Sequence, residues 1–372
     1  METKVIAMYL PQYHEIPENN AFWGAGYTDW VSVKNAVPLY PGHRQPKVPQ
    51  GGAYYDLSEP EAIRRQAETA KAYGVGGFGI YHYWFSPEKQ LLTKPAEILL
   101  QDPTIEIPFL FAWDNISWKR TWSRVKGNAW SPLQDAQKKP GGDEPEILVE
   151  YRAGGEKAWK KHFEDLLPYF RDARYIQTDG KPVFLIYHYD ETIFRMAEYW
   201  DRLARENGFN GIRIIYRFDA ARKLPKGKES FLYEPIHTGW GSVTARAYAR
   251  ISGIIREKLK IRKKLRTYDY ETIWNRILRR AERGEEPLPG AFAAYDDTPR
   301  RGEQGIVIQG STPERFGRHM EELLKTANRQ GKEFVFLTAW NEWGEGAYLE
   351  PDEENGTGYL EALKKALEQQ NA

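Results

Sequence analysis

Two glutamates near the end of the chain stand three residues apart in a segment rich in tryptophan and glycine. The segment Trp340–Gly346 reads W-N-E-W-G-E-G and contains Glu342 and Glu345. Cleavage of a glycosidic bond needs one carboxylic acid to protonate the leaving oxygen and a second group that meets the charge developing on the sugar. Two carboxyl groups in different surroundings can supply both roles. The pair therefore predicts glycosyl-transfer chemistry, although E-x-x-E alone is common on surface helices.

The surroundings of this pair strengthen the prediction. It follows the apolar run Phe334–Trp340, so Glu342 is expected at the end of a strand. The glycines on either side of Glu345 allow a tight turn over the same site. Trp343 could exclude water from a carboxyl group and thereby raise its pKa. We predict that both glutamates are catalytic.

Other chemistries have weaker support. The chain has no cysteine, which excludes disulfides, thiolate metal sites and cysteine nucleophiles. Its seven histidines show no H-E-x-x-H or similar spacing, and it has neither a G-x-S-x-G elbow nor a P-loop. We therefore predict no metal and no cofactor. Lys and Arg total 53 against 52 Asp and Glu, a balance that points to no nucleic-acid partner.

Eight short apolar runs alternate with amphipathic stretches. Most runs are continuously apolar, as strands buried on both faces should be. The runs are Val5–Leu10, Val75–Tyr81, Pro108–Trp113, Val183–Tyr187, Ile212–Phe218, Phe231–Glu234, Gly290–Tyr295 and Phe334–Trp340. The helical stretches are Glu59–Tyr73, Pro95–Leu100, Glu156–Tyr169, Glu191–Glu206, Tyr270–Arg283, Pro313–Gln330 and Thr357–Gln370, with Ser58 and Thr312 as expected caps.

Strand followed by helix, repeated along the chain, predicts an α/β fold. We expect residues 1–372 to form a single catalytic domain, a (β/α)8 TIM barrel with long βα loops at its C-terminal face. The alternative is an open doubly wound sheet. It would need a glycine-rich turn after the first strand, where this chain has Pro11–His14.

In such a barrel the functional groups lie at the C-terminal ends of the strands. The residues there are aromatic and polar, which suits the apolar faces and hydroxyl edges of sugars. The predicted substrate-binding residues are Tyr9, Gln12, His14, Trp30, Tyr81, His82, Tyr83, Trp84, Trp113, Asn115, Tyr187, His188, Glu234, Asp296, Asn341 and Trp343. We expect an oligo- or polysaccharide as the partner.

Some of these residues have an alternative structural interpretation. His82 and His188 are either ligand contacts or packed histidines. Asp296, with the aspartate beside it, either contacts substrate or caps the following turn. For Glu234 we favour an ion pair with Arg217 at a neighbouring strand end.

Two long segments carry no assigned element. Trp118–Tyr151 is expected to form a wall or lid over the barrel mouth. Arg246–Arg266 is strongly basic, and its functional interpretation is a weak contact with an anionic glycan or membrane surface, although we favour a solvated helix. No apolar run approaches the roughly 18 residues of a membrane span. The N-terminus as written shows no signal peptide, which predicts a cytoplasmic protein, or a periplasmic or secreted one if a signal was removed.

These motifs resemble those of the WbsX-like family, described as glycosyltransferases of bacterial polysaccharide clusters. That family is similar to the endo-α-mannosidases of glycoside hydrolase family ninety-nine. The resemblance extends nearly end to end. It covers Tyr9–His14, Trp23–Trp30, Gly42–Pro46, Tyr54–Leu57, Gly77–Phe78, Tyr81–Phe85, Gly180–Pro182, Gly310–Pro313, Ala339–Gly346 and Glu350–Asp352.

The resemblance implies a (β/α)8 barrel and a retaining mechanism. It implies that Glu342 deprotonates the sugar 2-hydroxyl, which displaces the leaving group to give a 1,2-anhydro sugar. Glu345 would protonate the leaving oxygen and later activate water. Such a reaction needs a 1,2-trans substrate, for example an α-mannoside or α-L-rhamnoside. The chain departs from the family pattern A-N-E-N-W at Asp114–Trp118, where Ile116 and Ser117 replace Glu and Asn, so a neighbouring subsite is expected to differ.

Three functions remain open from the sequence. A glycoside hydrolase is our prediction. A glycosyltransferase of surface polysaccharide (O-antigen or capsule) synthesis is the alternative, favoured by the missing signal peptide and disfavoured by the predicted barrel and the lack of a D-x-D motif. The third is a non-catalytic glycan-binding barrel, against which the intact pair Glu342 and Glu345 argues.

Overall fold

A computed structural model of the chain describes residues 2–119, 147–241, 265–285 and 287–370. Most of Trp118–Tyr151 and of Arg246–Arg266 lies outside these ranges. The predicted lid and the predicted contact with an anionic surface therefore stay predictions. Among the described residues, no helix is both long and apolar enough to cross a membrane.

Eight parallel strands form the centre of the fold. They are β1 (Lys4–Tyr9), β2 (Gly77–Ser86), β3 (Phe109–Trp113), β4 (Lys181–Ile186), β5 (Arg213–Arg217), β6 (Glu229–Phe231), β7 (Gly290–Phe292) and β8 (Phe334–Thr338). Their order in the sheet is β6-β5-β4-β3-β2-β1-β8-β7. Backbone hydrogen bonds join the remaining seam, from Leu288 N to Ser230 O (2.7 Å) and from Leu232 N to Leu288 O (3.0 Å). The predicted TIM barrel is confirmed as a nearly closed ring.

Helices surround the strands. They are α1 (Pro17–Trp23), α2 (Asp29–Lys34), α3 (Pro60–Ala72), α4 (Lys94–Gln101), α5 (Glu156–Phe170), α6 (Glu191–Glu206), α7 (Tyr270–Glu282), α8 (Thr298–Arg301), α9 (Pro313–Arg329) and α10 (Gly358–Glu368). Short strands lie at Lys89–Leu91, Trp118–Lys119, Ile147–Val149, Gln177–Thr178, Arg266–Asp269, Ile306–Gln309, Asn341–Glu342 and Ala347–Tyr348. Single helical turns lie at Gln50–Gly52, His237–Gly241, Gly302–Gln304 and Trp343–Glu345.

The predicted strands and helices agree with the observed ones within a few residues, and α1 and α2 were not predicted. The connection between β5 and β6, residues 218–228, contains no helix, and none was predicted there. The predicted cap Ser58 is wrong, because α3 starts after Glu59 without a side-chain cap bond. Pro60 occupies the first turn, where a proline lacks only an amide that would have no helical partner anyway. Thr312 does cap α9, accepting the amide of Arg315 at 3.3 Å.

The seam between β6 and β7 has no room for a side chain at Gly290. A Cβ there would collide with the backbone carbonyl of Leu232. We predict that Gly290→Ala lowers the free energy of unfolding by about 1–3 kcal/mol, because the strands must separate to admit the methyl group. Denaturant unfolding measures this change. Gly155→Ala, where the added Cβ meets open space, is the control and should cost less than about 1 kcal/mol; equal effects would contradict the prediction.

Candidate active site

The two glutamates lie in a tight turn beyond β8. Asn341–Glu342 pairs with Ala347–Tyr348 in an antiparallel hairpin, and Trp343–Glu345 forms one helical turn between them. Gly346 has φ +56°, and a Cβ there would lie 2.9 Å from the amide nitrogen of Asp296. The turn therefore needs glycine at this position, as the sequence predicted.

One guanidinium group contacts both glutamates. Nη1 of Arg300 donates to Oε1 of Glu345 at 2.8 Å, and Nη2 donates to Oε2 of Glu342 at 3.1 Å. The side chain of Arg300 is only 9% exposed. The planar fork of a guanidinium fixes its acceptors in space. Arg300 therefore sets the position of the two carboxylates relative to each other.

Asp29 orients Arg300 from the other side. Its carboxylate accepts from Nε (3.1 Å) and Nη2 (3.0 Å) of Arg300. It also accepts the amide of Gly344 at 3.2 Å. A Cβ on Gly344 would lie 2.5 Å from both Arg300 Nε and Asp29 Oδ2. The first residue of α2 thus joins α8 to the turn at Asn341–Gly346, named the catalytic turn after the predicted role of its two glutamates. Sequence reasoning missed both Asp29 and Arg300 as site residues.

Burial of this cluster disfavours full ionisation. Burial raises the pKa of Glu342 to about 8; the guanidinium of Arg300 opposes the shift, while Glu345 and Asp29 add to it. Three carboxyl groups share one cation, so complete ionisation would leave two uncompensated negative charges in a site with little water. Glu342, whose pKa is raised, is therefore suited to retain a proton near neutral pH.

Asn341 ties the catalytic turn to the first strand. Its amide group accepts from Leu10 N (2.7 Å) and donates to Leu10 O (3.0 Å). The hydroxyl of Tyr13 donates to the carbonyl of Asn341 at 2.6 Å and accepts the amide of Trp343 at 3.1 Å. Asn341 was predicted to bind substrate, but its side chain is fully used in this backbone clamp.

A second buried carboxyl group, Glu350, lies behind the turn. It accepts from Trp343 Nε1 (2.6 Å), Tyr55 OH (2.8 Å) and Gln66 Nε2 (2.6 Å). Gln66 in turn accepts from the hydroxyl of Tyr9 at 2.7 Å. Burial raises the pKa of Glu350 to about 7, although these donors lower it. Tyr9 and Trp343, predicted as sugar contacts, are therefore buried supports, and the carboxyl group that Trp343 contacts is Glu350.

Tyrosines form the wall of the barrel mouth that faces the glutamates. Tyr81 and Tyr233 share a hydrogen bond between hydroxyls at 2.7 Å, and the ring of Tyr187 lies 5.7 Å and 5.5 Å from theirs. Burial, and then neighbours that include the charge of Glu342, raise the pKa of Tyr81, Tyr83 and Tyr233. The phenols are therefore neutral hydroxyl groups. Tyr233 was not among the predicted residues.

Tyr81 and Tyr83 of β2 lie on its inner face, and the residues between and after them point outward to the helices. His82 Nε2 lies 2.8 Å from His162 Nε2 on α5, and Trp84 stacks on the same imidazole at a centroid distance of 4.2 Å. Trp113 packs on it edge-on at 4.7 Å. Successive residues of a strand alternate between faces. His82, Trp84 and Trp113 are therefore packed residues, and we withdraw them as substrate contacts.

A second cluster of polar side chains lies at the C-terminal ends of β3, β4 and β5. Asn115 exchanges hydrogen bonds with the backbone of His188, at 2.7 Å and 2.8 Å. His188 Nε2 is 3.8 Å from Asp114 Oδ1, and burial, followed by the charge of Arg217, lowers the pKa of His188 to about 3. This imidazole is neutral. It remains at the mouth, so its predicted role as a contact stays a prediction.

The predicted ion pair between Glu234 and Arg217 does not form. Glu234 accepts from Thr238 N (2.9 Å) and Thr238 Oγ1 (2.5 Å), and the cation beside it is Arg280 on α7, at 3.7 Å. Its carboxyl group is fully buried, and this burial raises its pKa. Glu234 therefore stabilises the loop after β6, and its predicted contact with substrate stays a prediction.

Asp296 supports the catalytic turn from outside. It accepts from His43 Nε2 and Gln45 Nε2, both at 2.7 Å, and from Thr298 N at 3.0 Å. Its amide donates to Glu345 O at 2.7 Å. Burial opposes ionisation, but the hydrogen bonds from His43, Thr298 and Gln45 lower the pKa of Asp296. The turn-capping interpretation of Asp296 agrees with this geometry, since its carboxylate accepts the amide of Thr298 at the start of α8.

The remaining predicted residues lie near β1. Trp30 is buried, donates to Tyr55 O at 2.8 Å and packs on Tyr13 at 4.5 Å, so it belongs to the core. Gln12 and His14 are buried in the loop after β1, and their contact with substrate stays a prediction. The described ranges hold no group of three or more His, Cys, Asp or Glu side chains that could hold a metal ion.

Comparisons with known proteins identify the family and the fold. Residues 5–363 match the family described as Glycosyltransferase WbsX. Two proteins named WxcX, from strains of Xanthomonas campestris pv. campestris, are each 31% identical over 98% of the chain. The chain spans 49% of their length. A GH99 endo-α-mannosidase from Bacteroides thetaiotaomicron, in two structures, has a similar fold, with TM-scores of 0.58 and 0.57 at 14% identity over 99% of this chain and 97% of that one.

We predict that Glu350 makes stability depend on pH. Its pKa is about 7 in the folded protein and about 4.3 in an unfolded chain, so the folded state holds the proton more tightly. This contribution is complete below the unfolded value and is lost as the pH rises through 7. Relative to Glu350→Gln, the unfolding free energy of the wild type should fall by about 1–3 kcal/mol between about pH 5 and 8.

Chemical denaturation at several pH values measures the difference. Exposed Glu322→Gln on α9 is the control, and its profile should parallel that of the wild type. Parallel profiles for Glu350→Gln would show that Glu350 is ionised when folded.

Proposed function

This chain belongs to the family described as Glycosyltransferase WbsX, and from that membership and the geometry of the site we propose that it is a retaining glycoside hydrolase acting on 1,2-trans glycans. The observation that carries the proposal is the contact of one buried guanidinium, Arg300, with Glu342 and Glu345 together. This contact places both carboxyl groups on one side of the mouth. A reaction that uses the substrate's own 2-hydroxyl as nucleophile needs no protein nucleophile, so a base and a general acid from one strand end are sufficient.

In the first step Glu342 accepts the proton of the 2-hydroxyl. The hydroxyl oxygen then bonds to C1 as the bond from C1 to the leaving oxygen breaks, and Glu345 gives its proton to that oxygen. In the second step Glu345 removes a proton from water, whose oxygen bonds to C1. The C1–O2 bond breaks, and Glu342 returns the proton to O2. Two inversions at C1 give net retention.

Arg300 suits this proton balance. One proton arrives at Glu342 as another leaves Glu345, so the charge of the pair is the same before and after each step. The guanidinium therefore stabilises the pair throughout without moving. The reaction needs Glu342 ionised and Glu345 protonated, whereas burial favours the proton on Glu342. The reactive form is therefore the one in which this proton has passed to Glu345.

The reaction constrains the substrate. Attack by O2 from the back of C1 requires the 2-hydroxyl and the leaving group to be trans, as in an α-mannoside or an α-L-rhamnoside. The tyrosine wall of Tyr81, Tyr187 and Tyr233 offers ring faces and neutral hydroxyls opposite the glutamates. Such surfaces bind sugar rings by their apolar faces and hydroxyl edges.

We predict that Glu342→Gln and Glu345→Gln each lower kcat/KM on a 1,2-trans aryl glycoside by about two orders of magnitude or more, since each removes a proton-transfer group. Hydrolysis of a panel of aryl α-mannosides, α-L-rhamnosides and 1,2-cis glycosides, followed by oligosaccharides, measures this. The 2-O-methyl derivative of the best substrate should not be cleaved by the wild type.

Exposed Glu322→Gln is the control and should retain activity. Cleavage of only 1,2-cis glycosides, or of the 2-O-methyl derivative, would refute the mechanism. If nothing is hydrolysed but a sugar is transferred from a nucleotide- or lipid-linked donor, the protein is a glycosyltransferase. That alternative is favoured by the family's description.

We predict that Arg300 sets the pH dependence. Glu342 must be ionised to act as base, so kcat/KM falls as the pH drops through its pKa. Arg300 lowers this pKa. Its removal in Arg300→Met should therefore move the acidic limb of the pH profile of kcat/KM to higher pH by about one unit or more. Arg300→Lys, which keeps the charge but loses the fork, should lower kcat with a smaller displacement of the limb. A limb that stays in place or moves to lower pH in Arg300→Met would contradict this assignment.

A further inference from the structure

Arg217 is a cation inside the barrel mouth. It is the last residue of β5, and the preceding Tyr216 packs outward against Tyr189 and Phe194. Strand alternation therefore directs Arg217 to the inner face. Its guanidinium lies 5.0 Å from the ring centroid of Tyr187, in a cation–π contact, and the residue is half-buried.

Arg217 differs from the other arginines of this region in its acceptors. Arg213 pairs with Glu229 and Glu333, Arg222 donates to Tyr189 O, and Arg300 contacts three carboxylates. Among the residues that the structure describes, Arg217 has neither a hydrogen bond nor a carboxylate within 4.0 Å. A guanidinium carries five N–H donors and a permanent charge. The ring of Tyr187 satisfies none of those donors.

The position of Arg217 relates it to the catalytic pair. The charges of both Arg217 and Glu342 act on the phenol of Tyr187, whose ring lies in the wall opposite the glutamates. Arg217 and the glutamate pair therefore have Tyr187 as a common neighbour. A sugar bound next to the cleaved one would extend along this wall. The charge of Arg217 also acts on Asp114 and His188 at the neighbouring strand ends.

We propose that Arg217 binds the carboxylate of a uronic acid, so that the substrate is an acidic glycan whose uronic acid residue lies beside the reacting 1,2-trans sugar. This inference rests on the proposed function. A carboxylate accepts two parallel N–H bonds from a guanidinium and neutralises its charge, which neutral hydroxyls do not. The neutral imidazole of His188 adds no charge of its own. Tyr187 holds the guanidinium plane in place for such bidentate binding.

Asp114 is the group that opposes an anion here. Burial raises its pKa to about 6, and Arg217 lowers it; its charge also acts on Tyr83 and Tyr187. Its side chain does not reach ion-pairing distance of Arg217 among the described contacts. Replacing it with asparagine removes the competing charge, so Asp114→Asn should strengthen the binding of an acidic ligand. The two variants, at Arg217 and at Asp114, thus change acid selectivity in opposite directions.

The test is calorimetric binding with Glu345→Gln protein, which separates binding from turnover. The probes are α-mannosyl- and α-L-rhamnosyl-glucuronic acid disaccharides, each beside its methyl ester. The free acid should bind about tenfold or more tightly than the ester, from the charged hydrogen bonds. Adding Arg217→Gln should bring that ratio to near one, and Asp114→Asn should increase it. Arg222→Gln, which removes an equal charge from an exposed neighbouring position, should leave the ratio unchanged.

Three outcomes would overturn the inference. They are equal affinities for acid and ester, no binding of any of the disaccharides, and an acid-to-ester ratio that is unchanged in Arg217→Gln. Thermal unfolding of each variant verifies that it is folded. The outcome is distinguishable from failure of the proposed function. Selective binding of the acid by a protein that cleaves nothing would refute only the hydrolase proposal, whereas equal cleavage of acid and ester substrates would refute only the role of Arg217.

Discussion

The site depends on one buried cation among three carboxyl groups. Arg300 comes from α8, Asp29 from the start of α2, and the two glutamates from the turn after β8. Removing water from an ion cluster costs several kcal/mol per ion unless each charge is paired and hydrogen-bonded. Here every donor that points into the cluster has a carboxylate, and the excess negative charge is relieved by a retained proton. The relative position of α2, α8 and the catalytic turn is therefore fixed by charge as much as by packing.

Backbone contacts make this arrangement rigid. Asn341 binds both polar groups of the Leu10 backbone, Asp296 binds the carbonyl of Glu345, and Trp343 is held by Glu350. Each of these contacts involves a residue within the turn that carries the pair. Preorganised groups lose little energy to reorientation when charge moves during a reaction. The polar residues that the motif W-N-E-W-G-E-G contributes besides its glutamates are thus structural parts of the catalytic turn.

The barrel and the glutamate pair could be predicted from sequence, whereas the side-chain partners could not. Strands buried on both faces are continuously apolar, so their positions are evident. Because such strands show no alternation of apolar and polar residues, the sequence does not indicate which face of the sheet each residue occupies. In Tyr81–Trp84 every residue is aromatic or an imidazole, so His82 and Trp84 were assigned to the wrong face. Arg300 lies in a four-residue helix with no periodicity, and Asp29 lies 271 positions from it along the chain. Only the folded barrel brings them together.

The family's description and the hydrolase-like fold are chemically compatible. In the proposed mechanism the 1,2-anhydro sugar is opened by whichever hydroxyl group Glu345 can deprotonate. If that group belongs to water, the result is hydrolysis; if it belongs to a sugar, the same step transfers the glycosyl unit with the same stereochemistry. The glutamates, Arg300 and Asp29 would act identically in both. What decides the outcome in that mechanism is therefore whether water or a sugar hydroxyl group occupies the acceptor space beside the reacting sugar.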